Sequence, residues 1–449
     1  MSKTCLFHPI FRSFFFLCLF CCFQSPSLFA SQPVTKTLSG HGGPVNTLAV
    51  SPDGRSLLSG SLDYAVMLWD LALEPAQMKQ RFIAHEGAVS VVSWFPASAR
   101  ALSAGDGGKL YLWDTASEKL LRTSVDSHEG KTVAISISTD ESLAVTAGWD
   151  GSVRIWDLPA LTTRHVLKVH KETVSSALIA ADNRVVYSGG YDGRIRIWST
   201  DSGQLIDVLH NHGWPINVMR WLPDHRHIVF GSANGHVQVF DTQAHKISKI
   251  LTPHEKPVLG LTVSNEHKLL ATGSVNGEIR VWNMQDWSMV GETKGIPGPV
   301  WAMAFAADGE SLFYGSLDDD VKIWPVSMDE NELPDTQKIR RFQVTAGKSL
   351  GEVQFARKCS VCHTLKPGDA NRAGPSLYQV FGRKAGTLPG YSYSDSLLQS
   401  DLVWDEETID ALFADGPHIV VPGSKMPLQK MPSAEKRKAL IQYLREVTR

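Results

Sequence analysis

Residues 148–157 read "GWDGSVRIWD", a tight turn followed by a strand that ends in an aromatic. Six other segments close the same way: "AVMLWD", "KLYLWD", "RIRIWS", "HVQVFD", "EIRVWN" and "DVKIWP". The seven aromatics are Trp69, Trp113, Trp156, Trp198, Phe240, Trp282 and Trp324, spaced 44, 43, 42, 42, 42 and 42 residues apart. A fixed period of this length decides the architecture, because each unit must stack on its neighbours to bury its apolar face. Between the aromatics, period-2 runs such as "VNTLAVS" and "SLLSGS" alternate with turns, the pattern of antiparallel strands. The turns hold Asp63, Asp106, Asp150, Asp192, Asn234, Asn276 and Asp318. Four such strands per repeat make one blade of a ring.

A histidine stands 28 residues before the aromatic in six repeats: His41, His85, His128, His170, His212 and His254. The seventh repeat, which begins "KGIPGPVWAMAF", lacks it. With these markers the region resembles the WD-repeat β-propeller family across all seven repeats. The resemblance implies that each histidine hydrogen-bonds inside its own blade, joining a Ser or Thr, the turn Asp and the Trp. Spread one per blade, the histidines cannot converge on a single metal ion. Residues 34–38, "VTKTL", occupy the slot that "KQRFI" (79–83) occupies in the next repeat, while the seventh repeat ends one strand short. Pairing 34–38 into the last blade closes the ring and removes an exposed sheet edge. No blade spells a catalytic constellation. Trp149, Tyr191 and Trp214 fall at turns where an aromatic can meet a partner.

The chain has 449 residues, 20% charged and 43% hydrophobic, ordinary proportions for globular domains. Its formal net charge of −2 argues against a nucleic-acid partner. That figure conceals an asymmetry: residues 31–339 carry 26 basic and 35 acidic side chains, residues 340–449 carry 16 and 11. Residues 1–30 combine Lys3 and Arg12 with an apolar run from Phe14 to Phe23 and end in "SLFA", the layout of a cleaved signal peptide. Four of the six cysteines lie in that leader, so the exported chain keeps only Cys359 and Cys362. The expected organisation is a leader at 1–30, a propeller at 31–326, an acidic tether at 327–346 and a second domain at 347–449.

Residues 358–377 of the second domain read "KCSVCHTLKPGDANRAGPSL". A closed zinc site needs four ligands, and after His363 this region offers only His418 and no further cysteine. A thioredoxin-like dithiol follows a strand, whereas this pair follows a helical pattern. C-x-x-C-H is the attachment spelling of c-type haem: two thiols bond the vinyl groups and the next imidazole reaches the iron. For the opposite side of the iron, "PGSKMPLQKMP" offers Met426 and Met431. "GKSLGEVQFARKC" and "SAEKRKALIQYLREVT" read as helices, with Ser433 a cap for the second.

With "CSVCH", "GPSLYQVFGRKAG", "PGYSYSDSL", "VW" and "PGSKMP" in order, residues 347–449 resemble class I cytochrome c. The resemblance implies an all-α domain holding one covalent haem c. Cys359 and Cys362 would form the thioethers, His363 would be the proximal ligand and Met426 the distal one. It further implies that the Pro375 carbonyl accepts a hydrogen bond from the proximal imidazole, and that Arg383, Tyr393 and Trp404 hold the propionates. Gly351 and Phe355 match the crossing of the first helix with the last, near Tyr443. The expected protein is a periplasmic electron carrier of a Gram-negative bacterium rather than a stand-alone catalyst. Its propeller would dock a redox partner protein or a membrane-bound respiratory or dehydrogenase complex. Two other readings are a propeller oxidoreductase subunit and a haem-based redox sensor.

Overall fold

The computed structural model describes residues 37–326 apart from 169 and 171, and 349–449 apart from 361–362, 367–373, 392, 394, 422–425 and 427–430. The leader and the tether expected from the sequence lie outside the described residues. Among the described residues, 28 strands form seven four-stranded antiparallel sheets. Blade one runs inner to outer as Val45–Val50, Ser56–Ser61, Val66–Asp70 and Gln77–Phe82. The second strand of each blade is largely enclosed, and Leu143–Gly148 of blade three is buried throughout, while the outer strand Lys119–Thr123 of blade two faces solvent. Cores form between blades as well as within them. Leu57, Met67 and Trp69 of blade one pack with Ala302, Phe313 and Val321 of blade seven.

The ring closes as expected. Thr37–Ser39 is the fourth strand of blade seven, with Thr37 opposite Lys322, Leu38 opposite Val321 and Ser39 opposite Asp320. Leu38 is 5% exposed and sits in the core shared by blades one and seven.

The blade histidines make the expected internal network in three blades. In blade one, His41 Nδ1 donates to Asp63 at 3.2 Å and Nε2 accepts from the Ser59 hydroxyl at 2.6 Å. The same hydroxyl oxygen accepts the Trp69 indole N–H at 2.8 Å. Blade three repeats this with His128, Asp150, Thr146 and Trp156; blade four assembles His170, Asp192, Ser188 and Trp198 in the same places, but there Arg196 Nη1 donates to His170 Nδ1 at 2.7 Å. Burial pushes the Asp63 carboxyl up, but His41 and Arg81 outweigh it and hold the group at about 2.

The other blades depart from the expectation for local reasons. In blade two, counting from the strand hydroxyl puts Gly107, not Asp106, where the acid belongs. Asp106 instead pairs with Lys131 at 3.3 Å on the surface, and His85 keeps only Ser103, at 2.7 Å. In blade six Asn276 is not the partner; the longer Glu278, two residues on, reaches His254 Nδ1 at 2.7 Å. Blade five has Phe240 in place of Trp, and with no indole to satisfy, Phe230 replaces the strand hydroxyl; both rings are fully buried. His212 turns to Ser232 at 3.2 Å. Blade seven has neither histidine nor hydroxyl: Tyr314 fills the position and the buried Trp324 indole nitrogen has no partner.

After the turn acid or amide, five blades place a glycine in the left-handed region: Gly108, Gly151, Gly193, Gly235 and Gly277, at φ 72°, 73°, 71°, 85° and 80°. Blade one places Tyr64 there, at φ 69°. A bulky side chain in this region costs roughly 1–2 kcal/mol.

Beyond the ring, α1 (Leu350–Lys358) starts at Ser349, whose hydroxyl accepts the Glu352 N–H. α2 (Asp395–Leu398) and α4 (Pro417–Val420) are single turns. α3 (Glu406–Ala414) opens on a capping box between Asp405 and Thr408, and α5 (Ala434–Val447) is capped by Ser433 as expected. One isolated bridge, Lys384 to Val403, completes the regular structure among the described residues.

Two outcomes test this fold. Leu38→Ala should cost about 2–3 kcal/mol in denaturant unfolding of the ring, because it empties a core position and loosens the closing strand; an unchanged midpoint would contradict closure through Leu38. Burial alone pushes the His85 imidazole down to about 3. The folded form is therefore neutral, and its contribution is complete above the unfolded value of about 6.5 and is lost as pH falls from there. His85→Gln should remove about one proton, ~1.4 kcal/mol per pH unit, from the acid-side slope of stability between about pH 6.5 and 4. A slope equal to the parent's would refute this role.

Candidate functional site

One apolar cavity lies among the helices after the ring. α1 ends at Cys359, whose backbone N–H reaches back to the Phe355 carbonyl, and the chain turns at once into His363. His363 N–H donates to the Cys359 carbonyl at 2.9 Å, so the thiol-bearing turn and the imidazole are fixed relative to each other. His363 Nδ1 donates to the Pro375 carbonyl at 2.8 Å. That bond assigns the ring proton to Nδ1 and leaves Nε2 with its lone pair, the form in which an imidazole binds a metal.

Gly374 lies flat on the ring: a Cβ there would come 2.3 Å from the imidazole Cε1. α3 supplies Ile409, Leu412 and Phe413 to the walls, and α5 supplies Leu444. Met426 lines the same cavity, whereas Met431 is 3% exposed in the surrounding core and its N–H is tied to the Phe413 carbonyl at 2.7 Å.

Arg383, Tyr393 and Trp404 converge on the cavity too. Arg383 Nη1 donates to the Tyr378 carbonyl at 3.0 Å and Nη2 to the Ser376 carbonyl at 2.7 Å, which pins the guanidinium while leaving further N–H groups. Burial holds the Arg383 pKa below its ordinary value, and burial pushes the Tyr393 hydroxyl up, partly offset by hydrogen bonding and by Arg383. Trp404 is paired through its backbone to Arg383 and Gly382. The structure thus brings Cys359, His363, Pro375, Arg383, Tyr393, Trp404 and Met426 to one cavity. Cys362 lies outside the described residues.

The predicted helix crossing is present. A Cβ on Gly351 of α1 would meet the Ala439 carbonyl oxygen of α5 at 2.1 Å, and the Phe355 and Tyr443 rings lie 5.9 Å apart. The sequence reading missed α3 and its wall residues. Their signal was present: an Asp405–Thr408 cap followed by apolar residues at 409, 412 and 413.

The chemistry of this donor set fits a flat, apolar group with a metal at its centre. One neutral imidazole nitrogen and one thioether line the walls, a thiol stands beside the imidazole, and the rest of the wall is largely aliphatic and aromatic. Fold and site together define a seven-bladed propeller followed by a helical tail whose described residues enclose an apolar crevice.

Seven stretches, 32–70, 76–114, 118–157, 161–199, 203–241, 245–283 and 287–325, match the WD40 family, described as WD domain, G-beta repeat. A second part of the chain is 38% identical over 95 residues to cytochrome c of Arabidopsis thaliana, covering 21% of this chain and 84% of that protein. Cytochrome c2 iso-2 of Magnetospirillum molischianum is 44% identical over 87 residues, covering 19% and 88%, and cytochrome c of Nigella damascena is 38% identical over 108 residues, covering 24% and 96%. The chain therefore belongs to the WD40 repeat family and carries, fused to its propeller, a cytochrome c domain.

Gly351→Ala should unfold the tail at least about 2 kcal/mol earlier, since backbone rather than a movable side chain blocks the new methyl. The blade transition should stay in place. Separate monitoring by near-UV circular dichroism and by protease resistance of the tail checks this; a tail as stable as the parent's would be the contrary result.

Proposed function

We propose that this protein is a periplasmic c-type cytochrome, with one covalent haem c in an all-α class I cytochrome domain and a propeller that docks other proteins. The observation that carries the reading is that His363, its proton held on Nδ1, and Met426 line one apolar cavity together with Cys359. Haem c bound there supplies one-electron exchange. Cys359 and Cys362 would hold it by thioethers, and His363 Nε2 and the Met426 sulfur would be the protein's ligands to its iron. Two protein ligands would favour an electron carrier over a catalyst. A histidine and thioether ligand set, in a site with few polar groups, would favour the reduced state and raise the potential. Arg383 and Tyr393 would neutralise and orient the propionates, with Trp404 closing that side.

The propeller's role is inferred from its family and from its surface. Trp149 and Trp214, 58% and 55% exposed, project from turns of the ring where a redox partner protein or a membrane-bound respiratory or dehydrogenase complex could seat. The leader motivates the periplasmic location. A tether between ring and tail would keep the carrier at high effective concentration near a docked partner.

Optical and EPR spectra of the full chain, produced with c-type haem maturation, test the reading. Ferric and ferrous forms should both be low-spin. Met426→Ala should become high-spin with a lower potential, and Met431→Ala should stay low-spin while losing about 2–4 kcal/mol of tail stability. A high-spin parent, or a Met426→Ala spectrum identical to the parent's, would overturn it.

A further inference from the structure

The cavity wall contains one residue from the ring, Tyr64 of blade one. Three observations single it out. First, it occupies the turn position at which five blades carry glycine, and it keeps the left-handed backbone, φ 69°, that those glycines adopt without a side chain in the way. A strained aromatic retained where every ring neighbour with this backbone is glycine marks a position held by something outside the turn. Second, aromatics in the matching turns of blades three and four, Trp149 and Tyr191, are 58% and 44% exposed, but Tyr64 is half-buried. Third, the charges are opposed: residues 31–339 carry 26 basic and 35 acidic side chains, whereas residues 340–449 carry 16 and 11, with Lys358 at the cavity.

We infer that Tyr64 is a wall of the cofactor crevice contributed by the propeller, which docks the tail against blade one and covers part of the crevice. The inference rests on the haem reading given above. It adds a consequence for partners: the part of the crevice that Tyr64 lines is closed to them by the chain's own ring. An outside redox protein that approaches from there must displace Tyr64.

The test uses the full chain in two forms. With Tyr64 replaced by photoreactive p-benzoylphenylalanine, irradiation of the full chain produced with c-type haem maturation should cross-link position 64 to tail peptides, read by mass spectrometry. Cross-links confined to the propeller would overturn the docking. The haem content of the same preparation is read separately from its absorbance, so tail cross-links in a chain without haem would count against the haem reading alone. In the haem-loaded protein, Tyr64→Gly restores the residue that other blades use and should leave the ring's melting temperature equal or higher. Oxidation of its ferrous form by ferricyanide, which accepts one electron, should accelerate several-fold relative to the parent. An unchanged rate would overturn the shielding.

Discussion

The hydrogen bond from His363 Nδ1 to the Pro375 carbonyl, 2.8 Å long, is the constraint on which the site depends. An imidazole free to change tautomer presents either nitrogen, or a proton, to a metal; one whose Nδ1–H is committed to a carbonyl presents only the Nε2 lone pair. The bond holds because the chain on both sides is fixed. The Cys359 carbonyl anchors the His363 backbone, Gly374 leaves room for the ring to lie against the loop, and Arg383 grips the Ser376 and Tyr378 carbonyls just beyond Pro375. A charged guanidinium bonded to two carbonyls is a strong clamp for a loop without regular structure.

The ring depends on a different economy of interactions. Five blades reuse a chain from imidazole to hydroxyl to indole, buried where every unsatisfied nitrogen is costly. Where one member changes, its partner changes as well: Phe240 comes with Phe230, and Glu278 takes over what Asn276 cannot reach. Blade seven keeps the tryptophan without its acceptor, and its stability draws instead on the apolar core it shares with blade one and on the strand Thr37–Ser39.

Much of this was legible in the sequence because it depends on period. Spacings of 42–44 residues define blades, a missing last strand defines closure, and C-x-x-C-H with later Gly-Pro and Met segments picks out Cys359, His363, Pro375 and Met426, which line one cavity. What was hidden depends on offsets smaller than the period. Asp106 looks like a turn acid but sits one residue early, and only the register Ala104–Leu110 shows that Gly107 holds the acid's place. Met426 and Met431 are alike in sequence; their difference, cavity wall against core, arises from how α3 and α5 pack. Tyr64 was unreadable because its meaning comes from an element some three hundred residues away in the chain.

Covalent attachment through the paired cysteines is the claim on which the proposed electron transfer, the roles of His363 and Met426 and the part given to Tyr64 all rest. Intact mass of the full chain, before and after acid–acetone extraction, addresses it most directly. The account predicts one haem added to the polypeptide mass, retained through extraction in the parent and lost when Cys359 and Cys362 are both replaced by alanine. A parent chain of bare polypeptide mass, or one that surrenders its haem to the solvent, would contradict it.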